Sequence, residues 1–228
     1  MAVEIVWHLH SCIELIAGGK SLLIDPHDGG SLGVGFTPPT AKPDYILVTH
    51  EHYDHNAVNL FSAKGGRGPL IIREREGSFE LPPFRVKGVK LPHDEFEGRL
   101  RGFVVAYKIT VEGLSLAHLS DLGRPLRDQE AREFGSVDIV FAPVGGVYTL
   151  PPSKVIDVVD MLDAKIIIPI HYWLPGVQLP LEPLDVFINH ARNFKVLQLE
   201  DNRVVIDKHD LPGERTILVL QPPGRRRS

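Results

Sequence analysis

The chain has 228 residues, with 29 acidic and 25 basic side chains for a formal charge of −4, 43% hydrophobic residues, eleven histidines and a single cysteine. That length supports one sizeable core, since a domain of this size buries roughly 70–75% of the surface its unfolded chain exposes, and the mild acidity disfavours a dedicated nucleic-acid binder. One cysteine excludes an internal disulfide framework and a cysteine-built zinc site, so a metal would have to be held by His, Asp or Glu.

The first apolar run, Val3–Trp7, reads as a strand, because it has neither the basic segment nor the long apolar stretch of a leader. No run approaches the roughly 18 apolar residues of a membrane span. A cytoplasmic protein with no membrane contact is the expectation. Runs at Ile13–Ala17 and 21–24 flank Gly18-Gly19, a hairpin signal. Residues 26–43, rich in Gly and Pro, read as a loop, and Tyr45–Val48 as a buried strand. A mostly apolar helix is expected from near Asp54 to just before Gly65-Gly66, followed by strands at 70–72, 84–91, 102–110 and Leu114–His118. From there the pattern alternates: helices at 126–134, 153–162 and 182–192, with apolar runs at 139–142, Ile166–Ile170 and 196–199. Strands first and alternation after suggest sheets covered by helices. With no repeat or linker in view, residues 1–220 are taken as one domain, with 221–228 as a mobile basic tail.

The chemistry concentrates in Thr49-His50-Glu51-His52-Tyr53-Asp54-His55-Asn56, directly after a buried strand. In extended or turn backbone, side chains two apart share a direction, so His50 and His52 can meet one metal. Asp54 and His55 lie past the turn and can face a second. A solvated polar turn with a helix cap at Asp54 has no need of three imidazoles.

The His-X-His-X-Asp-His pattern resembles the signature of the metallo-β-lactamase fold hydrolases. The segment Trp7-His8-Leu9-His10-Ser11, with Gly18-Gly19-Lys20-Ser21-Leu22-Leu23-Ile24-Asp25-Pro26 after it, looks like the first hairpin of the ascorbate-6-phosphate lactonase-like branch. So does Pro169-Ile170-His171-Tyr172. The resemblance implies an α/β, four-layer αββα sandwich in which helices flank two mixed sheets. It also implies two divalent ions, with zinc preferred and manganese or iron compatible. His50, His52 and a third histidine would hold the first ion; His93 is preferred for that place and His118 competes. Asp54, His55 and His171 would hold the second, and Asp121 would bridge. Each lies at or beyond the end of a predicted strand, where open α/β sheets bind ligands.

Around that set, Asp25 is expected either to accept the spare N–H of a ligating imidazole or to cap the loop at Pro26. The resemblance puts His10 at the rim, facing substrate. Tyr148, Tyr172 and Trp173 are candidate pocket walls, although aromatic residues there serve equally as core, and Leu150-Pro151-Pro152 and the loop 29–39 could shape the entrance. Cys12 is expected to be a buried apolar residue.

The implied reaction is attack by a metal-bridging hydroxide, with Asp54 orienting the water and carrying a proton. His52 stands where the di-iron oxygen-reducing relatives have Glu, which favours hydrolysis over redox chemistry. Asn56-Ala57-Val58 follows where thioesterase and tRNA-processing relatives usually have a glycine soon after the Asp-His pair, which disfavours those activities. A lactone, another ester or a phosphodiester in a small molecule is the expected substrate. A nucleic-acid phosphodiesterase and a catalytically silent metal-binding relative are the alternatives.

Overall fold

A computed structural model describes residues 2–61 and 68–224. In chain order its strands begin with β1 (Val3–Trp7), β2 (Ile13–Ala17), β3 (Lys20–Ile24), β4 (Tyr45–Val48), β5 (Leu70–Arg73), β6 (Gly77–Leu81) and β7 (Phe84–Pro92). Then come β8 (Phe103–Val111), β9 (Leu114–His118), α1 (Asp128–Phe134), β10 (Ile139–Pro143), α2 (Pro152–Leu162) and β11 (Ile166–Ile170). The last elements are α3 (Leu184–His190), β12 (Lys195–Gln198), β13 (Arg203–Ile206) and β14 (Thr216–Val219).

The strands form two mixed sheets, a six-stranded one ordered β13-β1-β2-β3-β4-β5 and an eight-stranded one ordered β12-β14-β11-β10-β9-β8-β7-β6. Antiparallel hairpins build one part of each sheet, and parallel neighbours such as β3–β4 and β9–β10–β11 build the other. Side-chain alternation sets which face is buried where. In β3 and β4, Leu22, Ile24 and Leu47 enter the core between the sheets, while Leu23, Ile46 and Val48 turn outward and pack with Cys12 and Val58. Cys12 is fully buried in that outer cluster. All five residues of β11 are buried, as expected of a strand covered on both faces. Its Pro169 lies beyond Ile166 and Ile167, the two residues that β14 pairs, and a residue lacking an N–H is tolerated where the ladder is open.

Among the described residues the three helices lie over the eight-stranded sheet or on one another: α2 packs on α1, α3 and β10, and α1 on β7. The helix expected to start at Asp54 is not there. Residues 53–55 form a turn, closed by the His55 N–H donating to the His52 carbonyl at 3.0 Å, and a short 3₁₀ turn follows at Val58–Phe61. The turn aims the polar side chains of 52–55 to one side, which a continuous helix would have spread around its axis. Residues 62–67, where that helix was to end, and the arginines of the tail, 225–227, fall outside the described residues. The strands β6, β13 and β14 have no counterpart in the sequence reading. Among the described residues no helix is long and apolar enough to cross a membrane.

Candidate metal centre

Six strands converge on one edge of the molecule. Those of the first sheet, β1, β3 and β4, lead into His10, Asp25 and the 49–55 segment. Those of the second, β7, β9 and β11, lead into His93, Asp121 and His171. The pairings make all three strands within each sheet run the same way. The two groups are tied by the His171 N–H donating to the His10 carbonyl at 3.1 Å and the Val105 N–H donating to that of Thr49 at 2.8 Å. His10, Asp25, Ser120 and His171 have φ of 53°, 48°, 51° and 52°. Left-handed backbone in residues other than glycine costs on the order of 1 kcal/mol each, and four instances at one site show the surrounding packing forcing the chain inward there.

Asp121 lies at the centre. Its Oδ2 is 3.2 Å from His171 Nε2, 3.4 Å from His55 Nε2, 3.5 Å from His93 Nε2 and 3.9 Å from His50 Nε2. On one side, donor atoms of His50, His52 and His93 lie within 4.8 Å of one another; on the other, so do those of His10, Asp54, His55 and His171. Among the described residues the buried Nε2 atoms of His50 and His55 and the Oδ1 of Asp121 have no hydrogen-bond partner. Buried polar atoms left unsatisfied are costly, and imidazole nitrogens gathered around a carboxylate fit divalent cations of the zinc, iron or manganese type.

Supporting contacts fix how the imidazoles face. Asp25, fully buried, accepts from Thr49 N (2.8 Å), Thr49 Oγ1 (2.7 Å) and His55 Nδ1 (3.1 Å). His55 therefore carries its hydrogen on Nδ1 and turns Nε2 toward Asp121. The Thr49 hydroxyl has given its one hydrogen to Asp25, so at 2.9 Å it accepts from His50 Nδ1, which frees His50 Nε2 in the same way. Ser120 donates to the same oxygen at 2.6 Å. The loop-capping role at Pro26 is not the one the carboxylate plays.

Burial, reinforced by neighbouring imidazoles, pushes His50 down to about 2 and His10 down to about 3, and burial also lowers His93. Burial would raise Asp121, but His171 and His55 outweigh it and hold the carboxyl well below its usual range. Asp54 is likewise held low against burial, by His55 and by the hydrogen bond to His10. His55 runs the other way: burial disfavours its cation, yet Asp121 and Asp54 raise it well above the usual value. Neutral imidazoles beside ionised carboxylates are the protonation state that cation binding requires, and a metal would take over the positive charge that His55 supplies.

His118 stands apart from this set. Its Nε2 donates to the Ser11 carbonyl at 2.8 Å, which ties β9 to the loop after β1, and its Nδ1 accepts from Ser120 N at 3.2 Å, so both ring nitrogens are engaged. Three other candidates are placed as follows. His10 is not at the rim: it is 5% exposed, its Nε2 is 3.1 Å from Asp54 Oδ2, and its carbonyl is clamped by Trp7 Nε1 and His171 N. Tyr172 is core, stacked on Trp7 with centroids 5.4 Å apart. Trp173 bonds through its backbone to Glu182 and pairs with Pro183.

The cleft over the centre has a volume of about 300 Å³ and is lined by His52, Tyr53, Asp54, His93, Arg101, Asp121, Tyr148, His171 and Leu179. Tyr148 is the one expected aromatic wall among them. Tyr53, Arg101 and Leu179 had no place in the sequence reading. Tyr53 sits within the signature itself and could have been inferred from that position, whereas Leu179 comes from a segment with no motif. The loop 26–43 does not line the cleft directly; it braces the 176–179 segment through Gly33–Val177 pairing and a bond from Gln178 N to the Leu32 carbonyl. The Leu150 segment likewise acts from behind, its N–H bonded to the carbonyl of Leu122 beside Asp121.

Two sheets whose like-directed strands deliver a His/Asp cluster define a metal-dependent hydrolase of the metallo-β-lactamase fold, and the comparisons agree. A family model described as a β-lactamase superfamily domain matches residues 4–171, and the chain belongs to that superfamily. A UPF0173 metal-dependent hydrolase of Thermoplasma volcanium is 33% identical over 193 residues, covering 75% of this chain and 84% of the relative. One of Pyrobaculum arsenaticum is 31% identical over 199 residues, with 75% and 84% covered. A crystal structure from Thermotoga maritima, assigned as a zinc-dependent hydrolase of the metallo-β-lactamase superfamily, superposes with a TM-score of 0.72 at 27% identity, over 96% of this chain and 98% of that one.

Proposed function

We propose that the protein hydrolyses a lactone, another ester or a phosphodiester in a small molecule, using two divalent cations, zinc before manganese or iron. The supporting observation is the position of Asp121 Oδ2, within 3.9 Å of four imidazole Nε2 atoms drawn from both sheets. His50, His52 and His93 would hold one cation, Asp54, His55 and His171 the other, and Asp121 both. Cations so placed supply Lewis acidity, lowering the pKa of a water toward roughly 7 and polarising the scissile oxygen. Asp54, at the cleft surface with one oxygen on His10, orients that water and carries its proton to the departing group. His10 is a positioning residue: it holds the Asp54 carboxylate. Asp25 and Thr49 keep the imidazoles turned inward. A cleft of about 300 Å³ suits a small molecule, and the cytoplasm is the proposed compartment.

Metal analysis combined with a panel of lactones, aryl esters and bis-aryl phosphodiesters tests the reading on wild type and Asp54→Ala. The expected result is about two equivalents of metal and a loss of roughly 100-fold or more in kcat for the variant. Less than about half an equivalent under all loading conditions contradicts the reading, since a filled centre of this kind needs its metal. Full metal with no turnover on any class would instead favour a silent metal-binding relative.

A further inference from the structure

We propose that Arg101 is the specificity-determining residue of the cleft and that the substrate carries an oxyanion, a carboxylate or a phosphoryl group, beside the bond that is cleaved. This rests on the hydrolase reading above and adds to it the class of substrate. Once the metal donors are set aside, the wall of the cleft is Tyr53, Arg101, Tyr148 and Leu179, so among the described residues Arg101 is its one permanent cation. The guanidinium carbon lies 5.3 Å from the centroid of the Tyr148 ring, and among the described residues the group forms no ion pair. Arg124, by contrast, is held by Glu97 and Glu130. A guanidinium resting on an aromatic face keeps its N–H fork free at the edge, and that fork matches a carboxylate or phosphoryl group in two parallel hydrogen bonds.

The loop that carries Arg101 is ordered by its own backbone. The buried Asp94 carboxylate accepts the N–H groups of Phe96 (2.8 Å), Gly98 (2.9 Å), Leu100 (2.9 Å) and Arg101 (2.8 Å). The loop is closed by the His93 N–H donating to the Gly102 carbonyl at 3.0 Å. His93 and Arg101 are therefore the two ends of one closed loop, which fixes the Arg101 backbone relative to a metal donor, while the Tyr148 ring is the contact of the guanidinium. A local cation is also what an anionic substrate needs from a chain whose formal charge is −4.

The test uses the full-length, metal-loaded protein as wild type, Arg101→Gln and Arg101→Lys. Two matched pairs of substrates serve: p-nitrophenyl pentanoate with mono-p-nitrophenyl glutarate, and a sugar lactone with its phosphorylated form. In Arg101→Gln the anionic-to-neutral ratio of kcat/KM should fall by about tenfold or more, chiefly through KM, with partial retention in Arg101→Lys and metal content unchanged. The pair with the larger fall identifies the oxyanion as carboxylate or phosphoryl. Equal losses on both members of each pair, or no change, overturn the proposal. If wild type turns over none of these substrates, the ester and lactone arms of the proposed function fail separately. Calorimetric binding of inorganic phosphate and of glutarate still decides Arg101: about tenfold weaker binding in Arg101→Gln supports it, and equal Kd values for both anions overturn it.

Discussion

Asp25 shows how one side chain sets the properties of several others. It has no solvent exposure, and its two oxygens take three hydrogen bonds from Thr49 and His55. In Asp25→Ala the His55 ring loses the contact that fixes its tautomer, and a buried backbone N–H loses its acceptor. Metal affinity should fall about 10- to 100-fold by competition with a chelator, and the metal-free protein should lose roughly 3 kcal/mol in denaturant unfolding. An unchanged chelator titration would show that His55 is held by something else. The residues of this centre were legible in the sequence in proportion to how local they are. His50, His52, Asp54 and His55 are contiguous and read directly, and Asp25 and His171 were placed by the strands they end. His10 was misplaced because its depth depends on a left-handed turn and on clamps from Trp7 and His171, both set by tertiary contacts. Arg101 was missed because its place depends on the Asp94 knot, which pattern alone does not reveal.

At the scale of elements, the approach of neighbouring loops is limited by glycine. A Cβ on Gly145, just past β10, would sit 2.2 Å from the His171 carbonyl oxygen, well inside any real contact, and that oxygen is backbone. Gly145→Ala should therefore displace the loop after β11 and lower the bound metal from the proposed two equivalents to about one, with a destabilisation of roughly 2 kcal/mol or more. Gly30→Ala, whose Cβ meets nothing nearer than Asp28 at 3.9 Å, should leave metal content and stability near wild type; metal analysis and thermal unfolding read both. Most strands were legible as apolar runs between turns, and Leu114–His118 and Ile166–Ile170 appear with the expected bounds. The edge strand β6, Gly-Ser-Phe-Glu-Leu, buries only Phe79 and Leu81 and offers too weak an alternation to be seen. The apolar residues after Asn56 suggested a helix, but tertiary demand for a turn that aims Asp54 and His55 at the centre prevailed over that local pattern.

Across the whole molecule, buried histidines couple stability to pH. His27 has no exposure, donates Nε2–H to the His8 carbonyl and accepts from Gly29 N, and burial pushes it down to about 4 from 6.5. Between those values the unfolded chain binds a proton that the folded one refuses, so this term weakens the fold as pH falls through 6.5 and is present in full above it. It amounts to roughly 2 kcal/mol between pH 7 and pH 5. His118, also lowered by burial, acts in the same direction. His55, raised by its carboxylates, acts oppositely in the metal-free protein. The comparison is therefore between wild type and His27→Gln, both freed of metal by a chelator. Denaturant unfolding at pH 7 and pH 5 should show a pH dependence altered by about 2 kcal/mol in the variant, and identical dependence would show that His27 does not titrate as its burial requires.

The positions of β13 and β14 also bear on the order in which the molecule is made. Every proposed metal donor has been synthesised once residue 171 leaves the ribosome. The strand that flanks β1 in one sheet, β13, and the strand that flanks β11 in the other, β14, are both made after residue 171. The loops after β1 and β11 carry His10 and His171, which meet backbone to backbone across the two sheets. A nascent chain can thus present all its ligands to the cell before it has the means to hold them in place, and the centre is completed by residues that contribute no ligand to it.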